Sequence, residues 1–347
     1  MMPEEWPIAA SAADQSAPVR ADGDRLSTVR IDFFLKPADR LSEQERALMT
    51  AMLHCLVSDI ADELRAALPN MATPANDEGN LALIELLSST GLLNRAGLFR
   101  LLLRRADEER IATGAKSRAG RREARMIQGL VSHSDGAIAA AAMTLIIARG
   151  RRRDRFGQCL LHFDDLPAQE ASALVCSLAA ALRTNLTGAG GTAQADRLLS
   201  TAMAQVMARH DPGSSIEQLT AALVRLLDEE NALSDELVAA AAMEGEMNFV
   251  AQALARRSGI RGDIALDELL SGDPKRVMAL LRMGRLTRET AATLLAGIGD
   301  LIGIVDPARA IGEFDQLSDA DVANALNWIS TDPLYQRAVA AVGGKNG

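Results

Sequence analysis

The sequence predicts an all-α protein, an irregular stack of helical hairpins of the HEAT-like or α-solenoid-like kind, divided into two subdomains. Aromatic residues make up only 3% of the 347 residues, whereas Ala, Leu, Arg and Glu, which favour helices, are abundant. Apolar residues recur at steps of three and four along most of the chain, which is the period of an amphipathic helix. The length exceeds what one small core supports, so two packed units are expected.

The N-terminal part begins with a tail and continues into a long helix. Residues 1–24 are rich in Ala, Ser, Pro and Asp without a period, and are predicted to be a disordered tail. A short helix is expected over Thr28–Leu35. Ser42 and Glu45 have the spacing of a capping box at the start of the next helix. The apolar face of that helix comprises Met49, Met52, Leu53, Leu56, Val57, Ile60, Leu64 and Leu68.

Shorter helices follow as far as residue 184. Gly91 interrupts an amphipathic stretch over Gly79–Arg105. The stretch Thr113–Gly120 is expected to be a flexible basic linker. Further helices are expected over Arg121–Val131, Asp135–Arg149, Phe156–Phe163 and Pro167–Thr184.

A glycine-rich hinge over residues 187–195 is the predicted boundary between two domains. Residues 25–186 form the N-terminal helical domain with its basic middle segment, and residues 196–347 form a C-terminal domain of helical hairpins. Helices are expected there over Asp196–Arg209, Ser214–Asp228, Ser234–Met243, Glu246–Arg257, Ile264–Leu270, Pro274–Met283, Thr287–Leu301 and Ser318–Ile329.

One helix-start pattern occurs three times in the C-terminal domain. A leucine precedes a Ser or Thr at the predicted N-cap, and an apolar residue follows four positions into the helix. The three sets are Leu233-Ser234 with Val238, Leu286-Thr287 with Ala291, and Leu317-Ser318 with Val322. Each is predicted to combine a side-chain cap with a hydrophobic staple.

The charge is unevenly distributed along the chain. Residues 95–155 contain 15 Arg and Lys against six Asp and Glu, a net charge of +9, whereas the whole chain carries −9. The predicted interaction surface consists of Arg121, Arg122, Arg125, Arg151, Arg152, Arg153 and Arg155. A solvated face, or pairing with the acidic residues around Asp228-Glu229-Glu230, is favoured first, then an acidic protein partner, and nucleic acid last.

Other features favour the cytoplasm and argue against a membrane. Cys55, Cys159 and Cys176 are odd in number and unclustered, which is typical of a reducing compartment. The N-terminus has neither a basic leader nor an apolar core. The longest apolar run, Ile138–Ala148, is too short to span a bilayer and is predicted to be a buried helix.

None of the candidate phosphate-binding, dinucleotide-binding or metal-binding motifs has the structural context that its function requires. Gly114-Ala115-Lys116-Ser117 lacks the second glycine of a phosphate loop, and the glycines from Gly188 to Gly191 follow a helix instead of a strand. Cys159 and His162, three apart on an expected helix, have no second ligand pair for a metal. The sequence therefore predicts no catalytic, cofactor-binding or metal-binding residue, and no enzyme.

Two stretches have a familiar pattern. The first is Asp32–Leu35 with Arg40–Met49, and the second is Glu244–Val250 followed by Ala253–Ala255, Ser258–Ile260 and Ala279–Arg282. They resemble an uncharacterised alphaproteobacterial family known as domain of unknown function 2336. The resemblance implies a helical cytoplasmic protein of unassigned activity, and it supplies no catalytic residue.

These observations predict a non-catalytic cytoplasmic scaffold or adaptor that binds another protein, an acidic one if the arginines take part, in signalling or regulation. The alternative is a regulator that binds nucleic acid or an anionic ligand through the Arg-rich segment 95–155. Self-association into a homo-oligomer remains open.

Overall fold

The computed structural model describes residues 41–68, 77–119, 126–186 and 192–332, together with 335–336, 338–339 and 342. Within these residues the chain forms fifteen α-helices and no β-strand, so the prediction of an all-α fold is confirmed. Residues Arg153 and Cys159 form an isolated antiparallel bridge. None of the described helices is both long and apolar enough to cross a membrane.

The fifteen helices of the described residues all belong to one compact unit, Glu43–Gly347. They are α1 (Glu43–Ala66), α2 (Asp77–Ser89), α3 (Ala96–Ala119), α4 (Met126–Leu130), α5 (Gly136–Arg151), α6 (Ala168–Leu186), α7 (Thr192–Met207), α8 (Ile216–Glu229), α9 (Asp235–Met243), α10 (Met247–Ser258), α11 (Gly262–Leu269), α12 (Pro274–Met283), α13 (Arg288–Ile298), α14 (Pro307–Gln316) and α15 (Asp319–Ile329). In the part of the chain that the structure describes, three short 3-10 helices cover Phe163–Asp165, Pro212–Ser214 and Asp300–Ile302.

The buried side chains form two hydrophobic clusters. The first combines α1, α2, the beginning of α3, α6 and α7, and the second combines α4, α5 and the helices from α8 onward. Helix α10 lies at the centre of the second cluster, where it packs against α8, α9, α11 and α12. Helix α3 contributes to both clusters, with Leu102 and Ala106 in the first and Ile111 in the second.

Several local predictions are confirmed. The predicted apolar face of α1 is buried, apart from the half-buried Leu53. Gly91 ends the stretch after α2 with a φ of +73°, a conformation that glycine adopts without strain. Ser234, Thr287 and Ser318 each accept a hydrogen bond from a backbone N–H in the first turn of their helix, and each is the N-cap.

The prediction of a flexible linker over Thr113–Gly120 is wrong, because α3 continues through Ala119. Ile111 and Ala115 are buried in this part of the helix. The Arg118 side chain donates to the Gly297 carbonyl and pairs with Asp300. Tertiary contacts therefore keep a polar stretch helical.

One other element prediction is also wrong, and one helix has no counterpart among the predictions. Residues 156–162 do not form a helix, since the bridge between Arg153 and Cys159 folds them into a loop before the 3-10 helix at Phe163. Helix α14 was not expected, although Asp306 caps it and Pro307 occupies its first position, where proline is tolerated.

Some predictions fall on residues that the structure does not describe. These are the tail over 1–24, the helix over Thr28–Leu35 and most of the hinge over 187–195. Helix α7, which follows the hinge, buries Leu199, Ala202 and Val206 in the first cluster. The domain boundary stays a prediction.

Candidate interaction surface

Seven arginines were predicted to form an interaction surface, and three of them fall outside the described residues: Arg121, Arg122 and Arg125. Arg152 is buried, with its Nε 2.9 and 3.0 Å from the two carboxylate oxygens of Asp165. The Nη2 of Arg153 lies 2.9 Å from Glu109 Oε2. Both guanidinium groups are therefore occupied by carboxylates of the same chain.

Most of the described cations in the segment 95–155 are paired within the protein. The pairs include Arg95–Glu170, Arg104–Asp267, Arg110–Glu45, Arg118–Asp300, Arg149–Glu246 and Arg153–Glu109. The acidic residues around 228–230 are not their partners, since Asp228 pairs with Arg256 and Glu229 with Arg225. The positive charge of the segment is thus largely neutralised by carboxylates of the same chain, most of which lie outside the segment.

Arg105 and Arg152 form the centre of a buried ion-pair network. Arg105 donates through Nη1 to Glu108 at 2.7 Å, and its Nη2 lies 2.7 Å from a Glu217 carboxylate oxygen. Its Nη2 is also 3.8 Å from Asp165, the partner of Arg152. Buried charges need such partners because they have lost the solvation of water.

Asp165 connects this network to the backbone. Its Oδ1 accepts from the N–H of Ile216 at the start of α8, at 3.2 Å, and its Oδ2 accepts from the N–H of His162, at 3.1 Å. Burial alone would raise the pKa of the Asp165 carboxyl, but the charge of Arg105 and the hydrogen bonds from Arg152 outweigh it and lower the pKa. Burial raises the pKa of Glu217 in spite of the opposing charge of Arg105.

Sequence reasoning missed this network. Glu217 is 112 positions from Arg105 along the chain, so no spacing rule connects them. The one local signal was the pair of acidic residues Asp164-Asp165 just before Pro167.

Helix α5 buries one side and exposes the other. Ile138, Ala142, Leu145 and Ala148 are buried. Met143 and Ile147 are 43% and 50% exposed, so the helix that was predicted to be buried is buried on one face only. Met143, Ile147 and the exposed Arg151 follow at steps of four and form one stripe. Arg151 forms no ion pair with any described residue.

The loop after α5 exposes a second arginine and an aromatic ring. The guanidinium carbon of Arg155 lies 4.7 Å from the ring centroid of Phe156, a cation–π contact, and Phe156 is 75% exposed. Asp154 accepts from the backbone N–H groups of Phe156 and Gln158 and holds the loop. The α5 surface is defined here as Met143, Ile147, Arg151, Arg155 and Phe156.

A cavity of about 160 Å³ lies between α3, the C-terminal end of α5 and the turn that joins α9 to α10. Gly245 in this turn has a φ of +74°, and a Cβ there would lie 2.8 Å from the Cα of Ala112. Glycine has no Cβ, so it adopts this φ without strain and lets the turn approach α3 this closely.

A larger groove of about 720 Å³ runs beside α11, α12 and α15, where Ile264 and Trp328 line it. Charged side chains surround these apolar groups, and many of them pair with each other. The Arg276–Glu268 pair, for example, has a separation of 2.8 Å.

The cysteine in the small cavity does not have the properties of a nucleophile. Burial raises the pKa of the Cys159 thiol to about 11, although Arg105 and Arg153 oppose the rise. The thiol is therefore neutral at pH 7, and the thiolate is the reactive form. In the part of the chain that the structure describes, no group of three or more His, Cys, Asp and Glu side chains could hold a metal ion.

Fold and surface together define an all-helical protein with a partly apolar, arginine-bearing face. The chain matches, over residues 115–324, a family described as an uncharacterised protein conserved in bacteria, domain of unknown function 2336. This match covers more than half of the chain, so the protein belongs to that family. It includes the whole of α5 and the 244–248 turn. No curated protein and no solved structure matches the chain.

Proposed function

We propose that the protein is a non-catalytic helical adaptor of the bacterial cytoplasm that binds an acidic protein partner through the α5 surface. The observation that carries this proposal is the stripe of Met143, Ile147 and Arg151, in which two exposed apolar side chains adjoin an arginine with no ion pair to the described residues. Methionine, arginine and aromatic residues are enriched in protein interfaces. The proposal has two further parts. The stacked hairpins act as a helical repeat, and the family is restricted to alphaproteobacteria.

The geometry of the stripe favours a helical segment of the partner. Arg151 follows Met143 by eight positions, which corresponds to about 12 Å along the helix axis. An amphipathic helix of the partner covers Met143 and Ile147 with its apolar face. Carboxylates beside that face then reach Arg151 and Arg155, whose positive charge has no carboxylate partner among the described residues.

The test identifies the partner first and then measures its affinity. A photo-crosslinking amino acid at position 143, in the full chain in its native host, is expected to form a light-dependent covalent product with one protein. The same amino acid at the exposed position 197 on α7 is the control. With the purified partner, Ile147→Asp and Arg151→Glu are each expected to weaken binding by about tenfold or more, because interface anchors carry most of the affinity.

The charge control is Arg197→Glu, which reverses an exposed arginine that also lacks an ion pair to the described residues. It is expected to leave the affinity unchanged. Equal binding by wild type, Ile147→Asp and Arg151→Glu would contradict the proposal. Equal crosslinking of the same protein from positions 143 and 197 would also contradict the proposal.

The exposure of Arg151 and Arg155 also supports the alternative, binding of nucleic acid or another polyanion. The internal pairing of Arg152 and Arg153 leaves fewer free cations than the sequence suggested. Binding of single-stranded DNA that weakens steeply with salt and is lost in Arg151→Glu would favour this alternative over the protein partner.

A further inference from the structure

The groove beside α11, α12 and α15 has an apolar lining that is open to solvent. Its volume of about 720 Å³ lies in the range of sites that bind small molecules. The Trp328 side chain in it is 45% exposed, although tryptophan is highly buried on average. The apolar side chains of the lining are Ile264, Ala279, Leu317, Ala325, Trp328 and Ile329. The groove therefore offers an apolar group a surface that the described residues leave uncovered.

The carboxylates that line this groove already have partners. Three of them pair with arginines at 2.7 to 2.8 Å, as Asp263–Arg261, Asp267–Arg104 and Glu268–Arg276. The fourth, Asp321, accepts a hydrogen bond from the Ser318 hydroxyl at 2.6 Å in the capping box of α15. None of these four carboxylates depends on a cationic ligand for its stabilisation.

Two cations of the lining have no such partner. Arg100 and Lys275 are exposed and form neither an ion pair nor a side-chain hydrogen bond with a described residue. Arg104, one turn further along α3, and Arg276, next to Lys275 on α12, both bind carboxylates of α11. Arg100 and Lys275 therefore both lie beside α11. Positive charge next to an apolar groove favours a ligand that combines an anionic group with an apolar part.

We propose that this groove binds a fatty acid. The alkyl chain lies against Ile264 and Trp328, and the carboxylate pairs with Arg100 and Lys275. Among the described side chains of the lining, none has a buried polar atom without a hydrogen-bond partner. An alkyl chain, which neither donates nor accepts hydrogen bonds, suits such a lining better than a polar ligand does. The groove shares no residue with the α5 surface, so the proposal is independent of any protein partner.

Titration of the full-length Trp6→Phe chain with sodium decanoate tests the proposal, because Trp328 is then the sole tryptophan and its fluorescence reports on the groove. We expect a saturable change with one binding site. Octanoate and dodecanoate are expected to bind more weakly and more tightly, respectively, by about fourfold for each methylene, since burial of the chain supplies the affinity. Decan-1-ol, which has the same chain without the charge, is expected to bind at least tenfold more weakly than decanoate.

The groove itself is tested by Ala325→Leu. The longer side chain occupies part of the groove, so decanoate is expected to bind at least tenfold more weakly in isothermal titration, while circular dichroism shows a folded chain. Ala323→Leu is the matched control, because Ala323 is exposed on the same helix and does not line the groove. It is expected to bind decanoate like the parent chain.

The carboxylate contact is tested by Arg100→Gln combined with Lys275→Met. This double variant is expected to bind decanoate at least tenfold more weakly and decan-1-ol as before. Its control combines Arg197→Gln with Lys116→Met, which removes two exposed cations that also lack ion pairs to described residues and lie outside the groove.

Three results would each overturn the proposal. They are the absence of a saturable Trp328 response to decanoate, equal affinity for decanoate and decan-1-ol, and unchanged decanoate affinity in the Arg100→Gln and Lys275→Met double variant. Unchanged affinity in a folded Ala325→Leu chain would place the ligand elsewhere and would overturn it as well. Should Ala325→Leu fail to fold, the double variant decides.

Discussion

Asp165 combines a capping role with an ionic one. Its carboxylate accepts two backbone hydrogen bonds and also faces Arg152 and Arg105. Removal of this carboxylate would leave two buried guanidinium groups without one of their partners. The cost of breaking a buried pair arises mainly from the charge left behind.

The substitution Asp165→Asn is expected to lower the free energy of unfolding at pH 7 by about 3–5 kcal/mol, for this reason. The folded-state pKa of Asp165 is lowered, so its carboxylate stabilises the fold above the unfolded pKa of about 4 and loses that effect as the pH falls through the folded value. Urea unfolding at pH 7 and at several values below 4 should show the difference between variant and wild type shrinking in acid.

Asp196→Asn is the control for this prediction. Asp196 pairs with Arg183 on the surface, where solvent screens the interaction. It should change stability little at any pH. A difference for Asp165→Asn that is as small as the control's, or that grows in acid, would contradict the prediction.

The contrast between caps and ion pairs explains what could be predicted residue by residue. Ser234, Thr287 and Ser318 were identified correctly because a cap and the N–H it binds lie within three positions. The Arg105–Glu217 pair depends on how α3 and α8 pack, which no local pattern specifies. Arg152, predicted as a surface residue, is buried for the same reason.

Among the helices, α3 makes contacts that its sequence pattern does not predict. Its polar C-terminal turns were expected to be a linker, yet they pack against the 244–248 turn and the 3-10 helix at Asp300–Ile302. A Cβ at Gly114 would lie 2.6 Å from Leu301 Cδ2. Amphipathic periodicity identified the helices with continuous apolar faces, such as α1, but gave no signal where small residues make the contact.

The substitution Gly245→Ala tests the close approach of the turn to α3. The new methyl group must adopt a positive φ and displace the backbone of Ala112. A left-handed conformation costs an alanine about 1–2 kcal/mol, and overpacking adds about 1–3 kcal/mol. Chemical unfolding of Gly245→Ala is expected to show a free energy of unfolding that is lowered by both costs together.

Gly259→Ala supplies the matched control. Gly259 has nearly the same φ, +75°, but a Cβ there would meet no atom within 4 Å. It should therefore show the conformational cost alone. If the two variants are equally stable, the contact between the turn and α3 contributes nothing measurable, contrary to the expectation.

At the scale of the whole molecule, two hydrophobic clusters share one helix. Leu102 belongs to the first cluster and Ile111 to the second, and both are on α3. Ion pairs reinforce the connection, since Arg104 on α3 binds Asp267 on α11 at 2.7 Å. Such a shared element favours unfolding as one unit, whereas the predicted hinge over residues 187–195 implies two domains that could unfold separately.

Unfolding as one unit and separate unfolding can be distinguished by a substitution in the first cluster and a fluorescent probe on a helix of the second. Trp6→Phe leaves Trp328 on α15 as the sole tryptophan, because the chain has only two. In that background Leu102→Ala, deep in the first cluster, is expected to cost about 2–5 kcal/mol. Urea unfolding followed by Trp328 fluorescence and by circular dichroism should shift together, since α3 transmits the loss to the second cluster. An unchanged Trp328 transition beside an earlier loss of helix would instead show that the two clusters unfold independently.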